Sequence, residues 1–310
     1  MNTNTNKLAI VIPAYKATFL PAALDSIVAQ TCQDFTLYIG DDCSPNHLEE
    51  MVNQYKDKIN LVYNKFETNL GGKDLVAQWE RCIAMAKDEP YIWLFSDDDV
   101  MEPRCVEEFY RHLELTKGAY DLYHFDVKII NDKGEVIRTH QRYPQALQNF
   151  EYYKGKMRAK YVSLVVENIF SRLVYEKQGC FKNFDLAWGS DTATWVLFSE
   201  RSGFYTMDGA YVLWRSSNEN ISPDNSSPIV ARKVNALLDF FEWSYQYFSQ
   251  RGHDCRLVNA RAYINRMSKF CHYIPDNQFR QVTKRFCQTH GMSLVAPFLY
   301  LVIKYRAVKS

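Results

Sequence analysis

The sequence lacks the features that mark zinc-finger, membrane-spanning and nucleic-acid-binding proteins. Its eight cysteines form no CxxC pair and no signal peptide precedes them, so we expect reduced thiols in a cytosolic protein and no zinc site. No apolar run reaches the roughly 18 residues that a membrane-spanning helix needs. The formal net charge of +1 argues against a broad nucleic-acid-binding face. What remains is an ordinary globular protein, in agreement with its 47% hydrophobic and 24% charged residues.

Two phosphate-binding fingerprints are also missing. No GxGxxG follows the first predicted strand, and no GxxxxGK[ST] occurs anywhere in the chain. A dehydrogenase and a P-loop enzyme are therefore disfavoured. Any phosphate that the protein binds must be neutralised mainly by a metal ion.

Short apolar runs alternate with helical patterns in the N-terminal third of the chain. The runs lack helical spacing and predict buried strands, at residues 8–12, 35–39, 59–63 and 91–95. Apolar residues recur at helical spacing between them. This alternation predicts an α/β fold with a mostly parallel central sheet flanked by helices. The 310 residues suffice for one elaborated domain or two.

Acidic residues follow two of these strands. Asp41 and Asp42 come after the second strand, and Asp97, Asp98 and Asp99 come after the fourth. Because ligands of open α/β sheets bind beyond the carboxyl ends of the strands, we expect both clusters at one edge of the sheet. Adjacent carboxylates repel each other unless water or a cation surrounds them, and oxygen ligands suit Mg²⁺ or Mn²⁺. The alternative is a solvated acidic turn that caps the next helix.

Five motifs, in this order, resemble those of the family-2 inverting glycosyltransferases of the GT-A fold. The resemblance covers roughly residues 8–220, and its motifs are Val-Ile-Pro-Ala-Tyr from Val11, Ser26 with Gln30, Asp-Asp-Cys-Ser from Asp41, Asn-x-Gly from Asn69, and Ser-Asp-Asp-Asp from Ser96 with Pro103. It implies a UDP- or other nucleotide-activated sugar as donor, a divalent metal ion, and transfer with inversion at the anomeric carbon.

The resemblance also implies roles for individual residues. Asp98 matches the metal-binding carboxylate of the DxD motif, and Asp99 beside it completes the predicted metal site. Asp41 belongs to a pair whose first member hydrogen-bonds the uracil edge, and a carboxylate can accept from an imide N–H. The predicted nucleotide-sugar-binding residues are Pro13, Tyr15, Asp41, Asp42, Asn69, Gly71, Asp97 and Arg215. Packing for Tyr15, helix capping for the acidic pair and an ordinary turn at Asn69 remain open as alternatives.

Four positions depart from the family pattern. Ser96 replaces the first acid of Asp-x-Asp-Asp and is a weaker metal ligand, although Asp97 next to it can supply the charge. Cys43 stands where Gly or Asn is usual, and Asn46 stands where Asp is usual. Ser217 replaces a histidine that can reach the diphosphate, which leaves Arg215 either as a phosphate ligand or as a surface charge.

Asp191 is the predicted general base. The family carries this acid after a loop in the corresponding stretch, and inverting transfer needs a base to take the proton of the acceptor hydroxyl. Gly189 and Ser190 before it, at the start of an apolar-faced helix, are also typical of a helix N-terminus. A capping role for Asp191 is therefore the alternative.

The C-terminal part has a different character. We expect a catalytic domain over residues 1–222, with its acceptor side from about residue 120, and a helical extension over 223–310. Residues 140–165 are poorly patterned and predict a mobile, acceptor-facing segment. Residues 292–303 are apolar on all sides, and three cations follow. They either pack as a last helix, against the domain or in a homodimer, or lie peripherally on the inner face of a membrane through 292–309.

Together these patterns predict a metal-dependent glycosyltransferase of polysaccharide biosynthesis, in the cytoplasm or peripheral at the membrane. Its partners would be a nucleotide-sugar donor and a glycan or lipid-linked acceptor, without nucleic acid. Two alternatives remain open. One is a sugar-phosphate nucleotidyltransferase, although Pro13-Ala14-Tyr15-Lys16 is not the glycine-rich loop such an enzyme needs. The other is a degenerate, non-catalytic module that only binds a sugar nucleotide.

Overall fold

The structure is a computed structural model that describes residues 7–217 and 226–309. The strands within these residues are β1 Leu8–Ala14, β2 Phe35–Asp41, β3 Leu61–Lys65, β4 Tyr91–Leu94, β5 Val100–Met101, β6 Leu122–Ile130, β7 Val136–Thr139, β8 Ala146–Leu147, β9 Asn168–Ser171 and β10 Phe204–Arg215. The α-helices are α1 Leu20–Val28, α2 Leu48–Asn53, α3 Leu75–Ile83, α4 Cys105–Leu115, α5 Asn149–Met157, α6 Arg172–Lys177, α7 Ser190–Phe198, α8 Ser227–Ser249, α9 Arg256–Phe270, α10 Asp276–Thr289 and α11 Ala296–Lys309. Two short 3-10 helices lie at Asp185–Ala187 and Ser293–Val295.

These strands form one sheet in the order β3-β2-β1-β4-β9-β6-β10-β5, while β7 pairs with β6 and β8 pairs with β10. The four strands from β1 to β4 are parallel, as the strand–helix alternation predicts. β9 is antiparallel to both of its neighbours, β4 and β6, whereas β10 is parallel to β6. The α/β fold with a central sheet flanked by helices is confirmed, and its second half has mixed rather than parallel pairing.

The parallel half of the sheet is buried on both faces. Leu8, Ile10 and Ile12 point to one face of β1, and Ala9 and Val11 point to the other, yet all five are 0% exposed. Parallel strands covered by helices on both sides read as continuous apolar runs, which is why these strands are easy to find in the sequence.

The chain divides into two compact units. Of the described residues, the first unit contains the whole sheet and comprises 7–149, 161–181 and 194–217. The second unit contains α8 to α11 and comprises 150–160, 182–193 and 226–309. The predicted C-terminal helical region is confirmed. The predicted domain boundary at residues 222 and 223 lies outside the described residues, and two internal segments group with the C-terminal helices.

The prediction of a mobile segment over residues 140–165 is wrong, because β8 and α5 lie within it, while its acceptor-facing role stays a prediction. Tyr152 and Tyr153 are fully buried, and the hydroxyl of Tyr153 lies 2.8 Å from Ser244 Oγ and 2.6 Å from Asn259 Oδ1. The lysines and arginines of this segment mask a buried aromatic face that only tertiary packing reveals.

The helix α9 packs through one apolar face. Leu257 near its start is 84% exposed and is not part of this face. The face that packs consists of Val258, Ala262, Tyr263, Met267 and Phe270. None of the described helices combines the length and the apolar character that crossing a membrane requires.

Trp93 provides a test of the core of the sheet. It is 0% exposed, donates from Nε1 to the carbonyl of Val166 at 2.6 Å, and stacks on Phe125. Trp93→Ala should lower the free energy of unfolding by about 3–5 kcal/mol, because it removes a large buried side chain. Trp93→Phe should cost about 1–3 kcal/mol, since it keeps most of the volume but leaves a buried carbonyl without its donor.

Urea unfolding measures both changes, with Leu115→Ala as the control. Leu115 is 63% exposed and its truncation should change the free energy of unfolding by about 0.5 kcal/mol or less. Equal losses for Trp93→Ala and Leu115→Ala would contradict the packing described here.

Candidate active site

The carboxyl ends of β1, β2 and β4 lie side by side because these strands are parallel neighbours. Ala14 pairs with Asp41 across β1 and β2, and Val11 pairs with Leu94 across β1 and β4. The loop after β1 therefore lies between the two loops that carry the acidic clusters. The structure brings both clusters to one edge of the sheet.

Asp97 ties the loop after β1 to the loop after β4. Its Oδ2 accepts hydrogen bonds from the backbone N–H groups of Tyr15 and Lys16, both at 2.8 Å. The carbonyl of Tyr15 accepts in turn from the hydroxyl of Ser44 at 2.6 Å and from Nδ2 of Asn46 at 3.3 Å. Asn46, unlike the aspartate usual in the family, can donate this bond. Three loops thus meet at the backbone of residues 15 and 16.

Asp98, the predicted metal ligand, lies between a hydroxyl and an ammonium group. The hydroxyl of Ser96 donates to its Oδ1, and Nζ of Lys16 lies 2.8 Å from its Oδ2. Asp98 is 3% exposed, whereas the side chain of Lys16 is 27% exposed. Ser96, which departs from the family pattern, therefore orients the neighbouring carboxylate.

Arg215 fixes the acidic loop from the other side. Its backbone N–H donates to Asp99 Oδ1 at 2.7 Å, and its Nε donates to the carbonyl of Asp98 at 2.8 Å. Its Nη1 donates to the carbonyl of Asn131 at 2.8 Å, and the guanidinium lies over the ring of Phe19. Arg215 is only 3% exposed, so the surface-charge alternative is wrong. Its predicted phosphate contact stays a prediction, beside an evident role in positioning the acidic loop.

The three adjacent carboxylates carry more negative charge than the structure around them balances. Burial, and next the charge of Asp98, raise the pKa of Asp97 to about 6. The same two causes raise the pKa of Asp99 well above its usual value. Lys16 supplies the ammonium group that pairs with this cluster through Asp98.

This donor set fits a hard divalent cation. Carboxylate oxygens are the ligands that Mg²⁺ and Mn²⁺ prefer, and Mg²⁺ is commonly held by one or two carboxylates together with substrate phosphates. Asp98 and Asp99 are the residues that would hold it. Asp97 would not bind the cation itself but would position the loop after β1, because its Oδ2 accepts hydrogen bonds from the backbone of that loop.

A second group of potential metal ligands lies in the same unit. Glu108, His112 and Asp208 are, within the described ranges 7–217 and 226–309, the group whose ligand atoms all lie within 4.8 Å of one another. Arg104 and Arg111 each pair with Glu108 at 2.5 Å, and Arg111 also pairs with Asp208 at 2.5 Å. Two guanidinium groups already neutralise these carboxylates, so we interpret the group as an ion-pair network.

Asp41 and Asp42 both organise backbone. Asp41 is 0% exposed, and its oxygens accept from the backbone N–H of Ser44 at 2.7 Å and from the hydroxyl of Tyr63 at 2.5 Å. Asp42 accepts from the backbone N–H of Leu70 at 2.7 Å and is paired with Arg81. The predicted base contact of this pair stays a prediction, and the helix-capping alternative is not what either carboxylate does.

The turn at Asn69 and Gly71 is built around Asp42. The N–H of Gly71 donates to Asp42 Oδ2 at 2.8 Å, and Nδ2 of Asn69 donates to the carbonyl of Asp42 at 3.3 Å. A Cβ on Gly71 would lie 2.7 Å from Asp42 Oδ2, closer than real Cβ contacts. Glycine is therefore required here for the close approach of the backbone to a carboxylate.

The loops after β1 and β2 place Tyr15 and Cys43 in different environments. Cys43 has a φ of 56°, the left-handed region that favours the Gly or Asn usual in the family. Pro13 pairs with Gly40 inside the sheet, while the ring of Tyr15 is 44% exposed at its end. Tyr15 is thus not a core residue, and its ring is available to a ligand.

Asp191 lies in the first turn of α7, in the second unit. The helix begins at Ser190, so Asp191 is inside the helix and not at its N-cap. Burial raises the pKa of Asp191, and the charges of Lys156 and Arg266 partly offset this effect. A carboxylate with a raised pKa suits a general base, although the role itself stays a prediction.

Sequence reasoning missed Lys16 and Arg81, the cations that pair with Asp98 and Asp42. Lys16 directly follows the Val-Ile-Pro-Ala-Tyr motif, and three adjacent carboxylates signal the need for a cation nearby. Arg81 lies on α3, 39 residues from Asp42 in sequence, and no local pattern points to this pair.

Comparisons with known proteins agree with this architecture. A family model described as Glycosyl transferase family 2 matches residues 9–175. Poly(ribitol-phosphate) beta-N-acetylglucosaminyltransferase TarS of Staphylococcus aureus (strain Mu50) is 29% identical over 134 residues, which cover 41% of this chain and 21% of TarS. Glycosyltransferase GlyG of Streptococcus pneumoniae serotype 4 is 23% identical over 167 residues, which cover 53% of this chain and 49% of GlyG. The matched part therefore spans less than half the length of either relative.

Solved structures extend the similarity over nearly the whole chain. The crystal structure of S. aureus TarS 1-349 in complex with UDP-GlcNAc superposes with a TM-score of 0.61 at 16% identity, covering 97% of this chain and 91% of that one. The complex of the same protein with UDP gives a TM-score of 0.59 at 15% identity, covering 98% and 92%. At this level of identity the similarity establishes the fold.

The sheet and its flanking helices have the GT-A fold. Because the family model matches more than half of the chain, the chain belongs to glycosyl transferase family 2. The resemblance to this family, drawn from the sequence motifs, is thereby confirmed.

Gly71 provides a test of the turn around Asp42. Gly71→Ala should displace Asp42 and weaken its bonds to the backbone of the turn, lowering the free energy of unfolding by about 1–3 kcal/mol. Gly72→Ala is the matched control, because its Cβ would meet Oδ1 of Asn69 at 2.6 Å, and this partly exposed side chain can turn away, whereas Asp42 is buried and paired with Arg81. Urea unfolding of both variants measures the difference, and equal losses would contradict the close approach of Gly71 to Asp42.

Proposed function

We propose that this glycosyltransferase transfers a sugar from a UDP-activated donor to a glycan or lipid-linked acceptor, with inversion, and requires Mg²⁺ or Mn²⁺. The observation that carries the proposal is the strand end at which Asp97, Asp98 and Asp99 are all buried, with Asp98 paired with the ammonium of Lys16. Such a site gains stability when a divalent cation arrives.

The metal site would consist of Asp98 and Asp99. When bound there, a divalent cation would neutralise the charge of the leaving diphosphate. Lys16 is partly exposed beside Asp98, so its ammonium can donate to a phosphate oxygen of the donor. Arg215 and Ser96 would keep both carboxylates in place, through the bonds described above.

The loops beside this site would receive the nucleotide. TarS, which shares the fold, has been crystallised with UDP and with UDP-GlcNAc, and this supports UDP as the carrier here. The exposed ring of Tyr15 can stack on a base, and the turn at Asn69 and Gly71 offers a close approach to backbone. Asp41 and Asp42 would act mainly by holding these loops, because their oxygens already accept backbone N–H groups.

Asp191 is the proposed general base. Its carboxylate can accept the acceptor's proton only when it is ionised, and burial moves its pKa upwards from the usual value near 4. A base with a higher pKa draws a proton more strongly from a hydroxyl. The positive charges of Lys156 and Arg266 partly offset this rise in the pKa of Asp191.

Asp98→Asn tests the metal site. It keeps the size of the side chain and removes one negative charge, so we expect the Mn²⁺-dependent gain in UDP affinity to disappear while the melting curve without metal stays cooperative. Isothermal titration with UDP, with and without Mn²⁺, measures this. Glu107→Gln, the same change at an exposed acid of α4, is the control and should bind as the wild type does. Wild-type affinity of Asp98→Asn in Mn²⁺ would refute the metal assignment.

Asp191→Asn tests the general base. We expect UDP affinity to persist while kcat falls roughly 10²- to 10⁴-fold, as measured by UDP release from the best of a panel of UDP-sugars. In the wild type, kcat should fall as the pH drops through the raised pKa of Asp191, because the protonated acid cannot act as a base. The variant should lose this acid limb.

Asp185→Asn is the matched control for this change. Asp185 lies just before α7 and is paired with Arg232 at 2.6 Å, which lowers its pKa. This variant should keep the wild-type kcat and its acid limb. A lower melting temperature of Asp191→Asn with unchanged kcat would instead assign Asp191 a structural role.

A further inference from the structure

The last helix, α11, has two apolar faces, and only one of them is covered. It packs against α9 and α10, within the second unit. The covered face consists of residues at most 8% exposed: Leu299, Tyr300, Ile303 and Ala307. The packing alternative drawn from the sequence therefore describes one side of the helix.

The opposite face of α11 is apolar and exposed. Its residues follow one another at spacings of four and three, which keeps them on one side of a helix. They are 98%, 69%, 62%, 64% and 82% exposed, in the order Leu294, Phe298, Leu301, Tyr305 and Val308. We call these five residues the outer stripe of α11; Leu294 lies in the 3-10 helix that leads into α11, and the other four lie on α11 itself. The stripe runs for roughly 20 Å at 1.5 Å per residue, and a continuous exposed apolar surface of this kind marks a site of interaction.

Contacts with α10 fix which face of α11 points outwards. Asp276 accepts from the hydroxyl of Tyr300 at 2.5 Å and pairs with Lys304 at 3.0 Å. The ring of Tyr300 packs against Phe279. A rotation of α11 that buried the outer stripe would break these contacts with α10. The contacts therefore keep the stripe exposed on the second unit.

The charged residues that the segment 292–309 itself contributes have one sign, although Asp276 of α10 pairs with one of them, Lys304. Residues 292–309 contain Lys304, Arg306 and Lys309, and no Asp or Glu. Helices that pair through such a stripe use opposite charges on its flanks. In a pair of α11 helices, the segment 292–309 of one copy would provide no acid for the cations of the other copy. An apolar face with cations beside it is instead the pattern of helices that lie in the interface of an anionic membrane.

We propose that the outer stripe of α11 seats the protein on an anionic lipid surface. The apolar side chains enter the boundary between headgroups and acyl chains, and the exposed Arg306 lies among the headgroups, while Lys304 stays paired with Asp276. A single short helix gives reversible, salt-sensitive binding. The proposal concerns a surface of the second unit and does not depend on the identity of donor, metal or base.

Co-sedimentation with vesicles tests the proposal. The full chain should sediment at low salt with vesicles of equal parts phosphatidylcholine and phosphatidylglycerol, and stay in the supernatant with phosphatidylcholine alone. The double variant Phe298→Ser, Leu301→Ser should lose at least about ten-fold in partitioning, because two apolar side chains no longer enter the interface. Arg306→Gln should lose about five-fold, the effect of one cation near an anionic surface.

The matched control is Leu115→Ser, Leu173→Ser. These leucines are 63% and 68% exposed, close to the values of Leu301 and Phe298, but lie singly on α4 and α6 of the first unit. This variant should bind vesicles as the wild type does. UDP release from a soluble donor should be unchanged in all variants, so a failure here leaves the proposed function untouched.

Three results would overturn the proposal. The first is wild-type protein that remains in the supernatant with anionic vesicles at low salt. The second is an outer-stripe variant that binds vesicles as tightly as the wild type. The third is a wild-type dimer in sedimentation velocity that Phe298→Ser, Leu301→Ser converts to monomer while no vesicle binding occurs, and this would assign the stripe to contact between copies of the chain.

Discussion

The active-site edge depends on one buried carboxylate, that of Asp97, and on the two backbone N–H groups it holds together. These bonds join the loop after β1 to the loop after β4, and the carbonyl of Tyr15 extends the connection to Ser44. Arg215 donates a hydrogen bond to the carbonyl of Asp98 from the other side of the acidic loop, so Asp98 has little freedom to move. Hydrogen bonds thus hold the acidic loop from both sides, and a ligand binds more strongly to side chains whose positions are already fixed.

The departures from the family pattern make physical sense within this frame. A hydroxyl at position 96 cannot replace a carboxylate as a ligand, but it donates to Asp98 and limits its rotation. Asn46 donates to a carbonyl to which an aspartate could not donate. Cys43 adopts a left-handed conformation at some cost in backbone energy, which the hydrogen bonds of Asp41 and Ser44 around it offset. The fixed feature is the shape of the loops, and different side chains can maintain it.

The parallel strands and the placement of their acidic ends could be predicted from sequence, because burial on both faces leaves a local signal and strand ends share an edge. The roles of Asp42 and Arg215 could not be predicted from the sequence, because their partners lie far away in the chain. The hydrogen bond from Arg215 to Asp99, for example, spans 116 residues. The same limit applies to α5 and α11. Composition showed that α11 is apolar all round, but only its contacts with α10 decide which side remains exposed.

The grouping of residues 150–160 with the C-terminal helices affects how the chain folds while it is being synthesised. The hydroxyl of Tyr153 meets Asn259, which leaves the ribosome 106 residues later. At roughly 5–20 residues per second, α5 must wait about 5–20 s for its partners, with its aromatic side chains uncovered. The sheet, whose strands end at Arg215, is complete well before that moment. Chaperones that recognise exposed aromatic segments can therefore still meet α5 when all strands of the sheet have been synthesised.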